Sequence, residues 1–372
     1  MTFLACLLSI LQFFTGSNDI SIVFAGDAMQ HDRQIAVAKN GAGYDYSRCF
    51  EYLKPYISSA DYSVVNFECT LGGTPYKGYP CFSAPDEYAL SLKEAGFDLF
   101  LHANNHCLDR RDAGLVRTLN KLDEFKIPHI GTYRNTKERQ QAISYIVDIM
   151  GCKVAFLNYT YGTNGITIQK DVCVNYINEE QIKTDLAFVR TKNPDMIAVC
   201  IHWGEEYKLL QNKEQEELAN LLVDEGVDMV IGSHPHVIQP MEMRYSEKYK
   251  KNVLVVYSLG NLISAMRTTD TRGGAMVRVS ISKDNGKAKL KEASYKLFFV
   301  QQPKMPGDNY VLIPYGRTDL LRRDTQNDYD RFMKNALNIF NKHNKNVEQD
   351  KSIPILGIEI PMVEFCDTLL VG

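Results

Sequence analysis

The sequence has no excess of basic side chains and lacks several motifs that mark common enzyme classes. Its 42 Lys and Arg residues against 45 Asp and Glu residues give a net charge of −3. That balance does not favour a nucleic-acid partner, and none is expected. No GxSxG motif occurs, which argues against a serine hydrolase with a nucleophile elbow. No CxxC occurs among the nine cysteines, so no paired-thiolate site is indicated and no disulfide is assigned.

The N-terminus departs from the composition of the rest of the chain. Residues 3–14 read FLACLLSILQFF, and the first charged side chain is Asp19. This run is too short to span a bilayer comfortably, and small residues follow it, as in a secretory signal. Because no Lys or Arg precedes it, a buried strand or a misplaced start codon is the alternative. We predict a signal peptide over 1–17 and an exported, periplasmic or cell-envelope protein.

Short apolar runs separated by helix-like stretches make up most of the chain. Runs such as SIVFAG (21–26) are nearly continuous in large apolar side chains, as expected of strands covered on both faces. Stretches such as 214–226 place apolar residues at helical spacing and end in glycine, a helix stop signal. The alternation predicts a layered α/β domain. The other predicted strands are 62–67, 97–103, 143–149, 153–159, 196–203, 227–233 and 252–261, and the other helices are 87–96, 113–126 and 331–346.

The pattern changes near residues 273–300, where two segments of alternating character flank KDNGK (283–287). The turn sequence between them predicts an antiparallel hairpin, so the sheet is expected to be mixed. A connector rich in Pro and Gly follows Gln302. We predict a main domain over 18–302 and a C-terminal extension, 303–372, that packs on it.

Polar residues with metal-ligand chemistry follow six of the predicted strands. In open α/β sheets, ligands bind outside the carboxyl ends of the strands, so the fold is expected to gather these side chains. Taken singly, turns and helix caps explain several of them. The HPH sequence at 234–236 is harder to dismiss, because its proline stiffens the backbone between two imidazoles. The joint pattern predicts a metal site at Asp27, Asn66, Glu68, Asn104, Asn105, His106, Asp109, His202, Glu205, His234, His236 and Asn261.

The types of donor in this set indicate the class of metal. Carboxylates, an amide and imidazoles without paired thiolates suit Mn²⁺, Fe or Zn²⁺. A carboxylate can bridge two ions through its two oxygens, and Glu68 is predicted to do so. Two divalent ions about 3.5–4 Å apart can activate a water and stabilise the oxygens of a phosphoryl group.

Taken in order, these motifs resemble the capsule-synthesis CapA family, a branch of the calcineurin-like metallophosphoesterase superfamily. The resemblance implies an α/β sandwich of two mixed β-sheets flanked by helices, with two divalent metal ions at one end. It is carried by GDAM (26–29), VNFE (65–68), FSAP (82–85), AGFDLFLHANNHCLD (95–109), HWGEEY (202–207), GSHPHV (232–237) and YSLGNLI (257–263).

The resemblance also implies a role for each site residue. His106 would lie near the phosphate and would protonate the leaving group or stabilise developing charge, and Asp109 would orient His106. One metal would be held by Asp27, Glu68 and His236, and the other by Glu68, Asn105, His202 and His234. Residues that line the pocket or support the ligands would be Asn66, Glu205 and Asn261.

The sequence departs from the superfamily pattern at two positions. Met29 stands where the first motif, Asp-x-His, has its histidine, and Glu68 stands where the superfamily has a bridging aspartate. A thioether is a poor ligand for hard ions, so one metal site is expected to be weaker or to hold an extra water.

The expected function is that of a dinuclear-metal hydrolase of phosphoric esters. Family resemblance associates it with the biosynthesis of a capsule, of poly-γ-glutamate or of another cell-envelope polymer. Its expected partners are that polymer or a phosphoester substrate, and a membrane capsule-synthesis complex. The alternative is a non-catalytic accessory or assembly factor for polymer synthesis or export, in which the metal site is structural.

Overall fold

The computed structural model describes residues 19–284, 286–355 and 358–360. The predicted signal peptide, 1–17, lies outside these residues. In chain order the strands are β1 (Ile20–Ala28), β2 (Lys39–Asn40), β3 (Gly43–Tyr44), β4 (Tyr62–Asn66), β5 (Leu99–Leu101), β6 (His129–Ile130), β7 (Thr132–Tyr133), β8 (Tyr145–Ile149), β9 (Cys152–Thr160), β10 (Cys173–Val174), β11 (Met196–His202), β12 (Met229–Ser233), β13 (Met241–Ser246), β14 (Lys251–Val256), β15 (Asn261–Ile263), β16 (Gly273–Asp284), β17 (Lys287–Gln301), β18 (Val311–Pro314), β19 (Glu348–Gln349), β20 (Ile353–Ile355) and β21 (Ile358–Ile360). The α-helices are α1 (Asp32–Ala38), α2 (Lys54–Ser58), α3 (Asp86–Glu94), α4 (Arg111–Glu124), α5 (Thr136–Gln141), α6 (Glu179–Arg190), α7 (Lys213–Asp224) and α8 (Gln326–His343).

Two mixed sheets form the centre of the described chain. The first has the order β18-β17-β16-β1-β4-β5-β6, with β15 also paired to β1 and β19 to β17. The second has the order β13-β14-β12-β11-β9-β8. In the first sheet β1, β4, β5 and β6 are parallel, and in the second β9, β11, β12 and β14 are parallel. The predicted hairpin near 273–300 is confirmed as the antiparallel pair β16–β17.

The sheets pack face to face, and helices cover their outer faces. One apolar cluster joins Phe24 and Val277 of the first sheet to Phe156 and Leu254 of the second. A second cluster packs Tyr88 of α3 against the outer face of the first sheet. A third places side chains of α6 and α7 on the outer face of the second sheet. This arrangement confirms the predicted sandwich of two mixed sheets flanked by helices.

Residues beyond 302 add to the first sheet rather than standing apart from it. Strand β18 pairs with β17, and β19 does the same. Phe332 of α8 lies against Phe299, with ring centroids 6.1 Å apart. The predicted division of the chain at 302 stays a prediction. No helix within the described residues is both long and apolar enough to cross a bilayer.

Candidate metal centre

The predicted site residues stand at one end of the sandwich because parallel strands of both sheets stop there. Asp27 is the last residue but one of β1, Asn66 is the last residue of β4, and His202 is the last residue of β11. Strand β1 of the first sheet contacts β12 of the second, so the ends of the two sheets converge. Gly26 lets the backbone that precedes β15 lie close to β1, since a Cβ at that position would lie 1.9 Å from the carbonyl oxygen of Gly260.

Asn66 is the hydrogen-bonding centre of the site. Its amide nitrogen lies 2.8 Å from Asp27 Oδ1, 3.3 Å from Glu68 Oε2 and 3.3 Å from His202 Nδ1. All four side chains are buried, none being more than 1% exposed. One amide therefore holds the two carboxylates and the His202 imidazole in place. Residues next to metal ligands orient those ligands in this way.

Two groups of donors converge around Glu68. Ligand atoms of Asp27, Glu68 and His236 lie within 4.8 Å of one another, and so do those of Glu68, His202 and His234. His236 Nδ1 is 3.0 Å from Asp27 Oδ2, and His236 Nε2 is 3.8 Å from Glu68 Oε1. His202 Nε2 is 3.6 Å from the same oxygen of Glu68. Glu68 thus belongs to both groups, in the position that a bridging ligand takes.

A bound cation would offset the cost of burying the carboxylates and imidazoles of this cluster. Burial and the neighbouring Asp27 raise the pKa of Glu68 well above its ordinary value. Burial and the nearby His236 lower the pKa of His234 to about 3. Glu68 Oε1 and His234 Nδ1 are buried without a hydrogen-bond partner among the described residues, which is costly unless another group satisfies them. Carboxylate, imidazole and amide donors fit a divalent cation of the Mn, Fe or Zn type.

The His-Pro-His segment is held in an uncommon backbone conformation. His234 has φ of +100° and His236 has φ of +59°, a region that residues with a Cβ rarely adopt. The His234 backbone nitrogen lies 3.4 Å from Asp27 Oδ1. Such strain persists only where the surroundings enforce it, and it concentrates at functional sites. Here it turns both imidazoles toward the carboxylates.

His106 and Asp109 form a separate pair beside the cluster. His106 Nδ1 is 2.7 Å from Asp109 Oδ2, and the same oxygen accepts a 2.6 Å hydrogen bond from the Phe82 backbone nitrogen. The Phe82 ring meets the His106 ring edge-on at 4.5 Å. Burial raises the pKa of Asp109, while its hydrogen bond with His106 opposes that shift. The carboxylate fixes the imidazole orientation and leaves His106 Nε2 as the ring nitrogen that can serve a substrate.

The other predicted residues divide into those that contact a ligand and those that do not. Asn105 Oδ1 lies 2.9 Å from His202 Nε2. Asn104 donates to the Phe67 carbonyl and so shapes the turn after β5. Asn261 pairs with Asp27 through the backbone, but its amide nitrogen donates to the Thr271 carbonyl.

Glu205 is not brought to the cluster. Its side chain is exposed, and the hydrogen bond described for it runs from the Lys208 backbone nitrogen to its carbonyl, at 3.5 Å. Its predicted role in the pocket stays a prediction.

Three further residues at the site were missed from the sequence. Ser233 Oγ lies 3.0 Å from His202 Nδ1. The Tyr161 ring centroid is 4.6 Å from that of His234, and Glu206 reaches His234 and His236. Ser233 and Tyr161 stand at or just after strand ends, so the rule that located the other residues also applied to them.

Comparison with known proteins gives a family match over the part of the chain that contains the site residues. Residues 21–266 match the family described as "Bacterial capsule synthesis protein PGA_cap". The chain is 30% identical over 282 residues to "Capsule biosynthesis protein CapA" of Bacillus anthracis, covering 73% of this chain and 66% of that protein. It is 29% identical over 280 residues to "PGA biosynthesis protein CapA" of Bacillus subtilis (strain 168), covering 73% and 70%. The match therefore spans about two thirds of the length of these relatives.

Solved structures that align with this chain include a nucleotidase and a calcineurin-like phosphoesterase. The NAD nucleotidase of Haemophilus influenzae aligns with a TM-score of 0.48 and 14% identity, over 89% of this chain and 64% of that chain. A calcineurin-like phosphoesterase of Bacillus subtilis aligns with a TM-score of 0.45 and 15% identity, over 86% of this chain and 98% of that chain.

Proposed function

The chain belongs to the bacterial capsule synthesis protein family, and from this premise we propose that it is a metal-dependent phosphoesterase of cell-envelope polymer biosynthesis. The observation that carries the proposal is the buried donor set around Glu68, in which two polar atoms have no hydrogen-bond partner among the described residues. A protein that used this end of the sandwich only for packing would satisfy such atoms or replace them with apolar ones.

Two metals would share Glu68. Asp27 and His236 would complete one ligand set, and Asn105, His202 and His234 the other. When bound, such a pair supplies Lewis acidity and a water that is nucleophilic at neutral pH. The chain itself contributes the rigid placement of the ligands, through Asn66 and the strained His-Pro-His turn, and it keeps bulk water from the ligand atoms by burying them.

His106 is the residue that handles the proton of the leaving group. Asp109 accepts from His106 Nδ1, so Nε2 is the atom that donates a proton to the departing oxygen. Neither residue belongs to the groups of donors that could hold a metal. The metal ligands and the acid are therefore distinct sets of side chains, which can be altered separately.

We propose that the substrate is a phosphoester carried by a lipid-linked or wall polymer, and that the protein acts after export. Poly-γ-glutamate has no phosphodiester, so the polymer itself is not the bond that is cleaved. A membrane capsule-synthesis complex is the proposed partner. The names of the two CapA relatives, which describe capsule and PGA biosynthesis, support the pathway but specify no reaction.

The test compares the wild-type chain with an Asp27→Ala, His234→Ala double variant. Metal content is measured by mass spectrometry, and turnover is measured with bis-p-nitrophenyl phosphate. We expect near two metals per chain and turnover in the wild type, with both lost in the variant. Absence of metal under every loading condition would refute the metal centre.

Met29 favours a second candidate function, that of a non-catalytic accessory or assembly factor. Its side chain is 1% exposed and packs in the apolar cluster beneath the site, so it supplies no ligand where the superfamily has a histidine. Metal binding without turnover across a broad panel of phosphoesters would support this function. Normal polymer export by cells that carry the double variant would support it as well.

A further inference from the structure

The loop after β11 carries two adjacent glutamates, Glu205 and Glu206, and both side chains are exposed. Only the second reaches the cluster: ligand atoms of Glu206, His234 and His236 lie within 4.8 Å of one another. We infer that Glu206 is a metal ligand that closes the centre on its solvent side. This inference rests on the metal centre of the proposed function and assigns it a ligand that neither the motifs nor the relatives specify.

The position of Glu206 relates it to both groups of donors. His236 belongs to the group with Asp27 and Glu68, and His234 belongs to the group with Glu68 and His202. Glu206 stands beside one histidine of each group. Its carboxylate could therefore contribute a ligand oxygen to either group.

A second observation points to a ligand at this place. His234 is 3% exposed, and its Nδ1 atom is buried with no hydrogen-bond partner among the described residues. A neutral imidazole nitrogen left in this way carries an uncompensated desolvation cost. A cation bound at Nδ1 of His234 would satisfy that nitrogen.

The backbone holds Glu206 at the cluster rather than leaving it on a free loop. The Tyr207 nitrogen donates a 2.8 Å hydrogen bond to the carbonyl of Pro235, the residue between the two histidines. Gly204 and Tyr207 both have positive φ, +82° and +68°, so a turn on each side of the glutamates directs the chain. The Tyr207 ring lies 6.2 Å from the His236 ring. These contacts tie the loop directly to the His-Pro-His segment.

The number of ligands that a divalent metal needs also favours a role for the Glu206 carboxylate. The group formed by Asp27, Glu68 and His236 lacks the ligand that a histidine at position 29 would add, because Met29 is buried among apolar side chains. Divalent Mn, Fe and Zn bind four or more ligands and favour carboxylate oxygen over thioether sulfur in such sites. Glu206 supplies that oxygen. It also adds a third negative charge against the charge of two dications.

The test is Mn²⁺ binding by isothermal titration calorimetry to the full chain, comparing Glu206→Gln with the matched control Glu205→Gln. For Glu206→Gln we expect one Mn²⁺ site to be lost or weakened by at least about 10- to 100-fold, the range found when even an outer-shell partner is removed. For Glu205→Gln we expect wild-type binding. Both side chains are exposed, so the metal-free variants should unfold at the wild-type temperature.

The outcomes separate this inference from the proposed function. Wild-type Mn²⁺ affinity at both sites in Glu206→Gln would overturn the role of Glu206 and leave the metal centre intact. Equal weakening in Glu205→Gln and Glu206→Gln would also overturn it, because the effect would then be one of loop charge. A specific loss in Glu206→Gln would support it even if the wild-type chain turned over no phosphoester.

Discussion

If His106 donates a proton as proposed, the rate lost on replacing His106 should depend on the leaving group. A p-nitrophenolate departs as a stable anion, whereas a more basic phenolate needs a proton as its bond breaks. Positioned acid catalysis contributes about 10²- to 10⁴-fold. We expect His106→Gln to lose a factor of this order on a diester of unsubstituted phenol and much less on bis-p-nitrophenyl phosphate. KM and metal content should change little, because His106 is outside the groups that could hold a metal.

Asp109→Asn tests the orienting half of the same pair. Asp109 Oδ2 accepts from His106 Nδ1 at 2.7 Å and from the Phe82 nitrogen at 2.6 Å. If the amide oxygen of Asn keeps both contacts, its NH₂ group takes the place of Oδ1. That atom is buried and has no hydrogen-bond partner in the part of the chain that the structure describes. An unsatisfied buried donor costs about 1–3 kcal/mol of stability. We expect that loss together with a fall of about 10- to 100-fold in kcat, as for other partners that orient an active group.

The assay is kcat and KM for both variants across a series of aryl phosphodiesters whose leaving phenols differ in basicity. Metal content of each variant serves as the control for an intact centre. A plot of the rate loss against leaving-group basicity should rise for His106→Gln and rise less steeply for Asp109→Asn. An equal loss for every diester in the series would refute proton donation by His106, since a positioning defect alone does not distinguish one leaving group from another.

Two further predictions concern buried residues next to the site. Met29→Ala should lower the free energy of unfolding by about 2–5 kcal/mol, as for other large core side chains, and should leave the number of bound metals unchanged; loss of a metal would show that the thioether is a ligand. Burial lowers the pKa of His102 to about 3. As pH falls, His102 therefore takes up a proton in the unfolded chain before it does so in the folded chain. The free energy of unfolding of the metal-free protein should then fall by about 1.4 kcal/mol per pH unit between about pH 6.5 and pH 3. Between pH 7.5 and pH 5, the free energy of unfolding of His102→Gln, measured with denaturant, should therefore fall by about 2 kcal/mol less than that of the wild type. Parallel curves for the two proteins would show that His102 is not the source of this pH dependence.

Much of the fold was predictable because each local pattern agrees with its place in the sandwich. The continuous apolar runs at 21–26 and 196–203 became β1 and β11, which are buried along nearly their whole length. The run at 252–261 ends earlier than predicted, with β14 at Val256. Gly260 then takes φ of +69°, and its carbonyl accepts from the Asp27 nitrogen at 3.0 Å. That contact joins residues more than 230 positions apart, and no local pattern encodes it.

Division of the strands between two sheets was likewise not readable from their composition. Strand β1 pairs with β4 on one side and with β16 on the other. Strand β11, which is equally apolar, joins the second sheet instead. Apolar runs indicate that a strand is buried on both faces. Which strand it pairs with depends on contacts between residues distant in sequence.

The difference between Glu205 and Glu206 shows which part of the site cannot be predicted from the sequence. Along a strand, side chains on one face alternate, so a strand continuing through His202 would place Glu206, and not Glu205, on the histidine's side. The chain does not continue as a strand, because β11 ends at His202 and Gly204 turns with φ of +82°. Glu206 reaches the cluster because the Tyr207 backbone nitrogen donates a hydrogen bond to the Pro235 carbonyl, which is a contact between two loops. Candidate ligands at strand ends can be predicted from sheet geometry, whereas a candidate ligand on the following loop depends on how that loop contacts its neighbour. Comparing the separate substitutions Glu205→Gln and Glu206→Gln is therefore the decisive test.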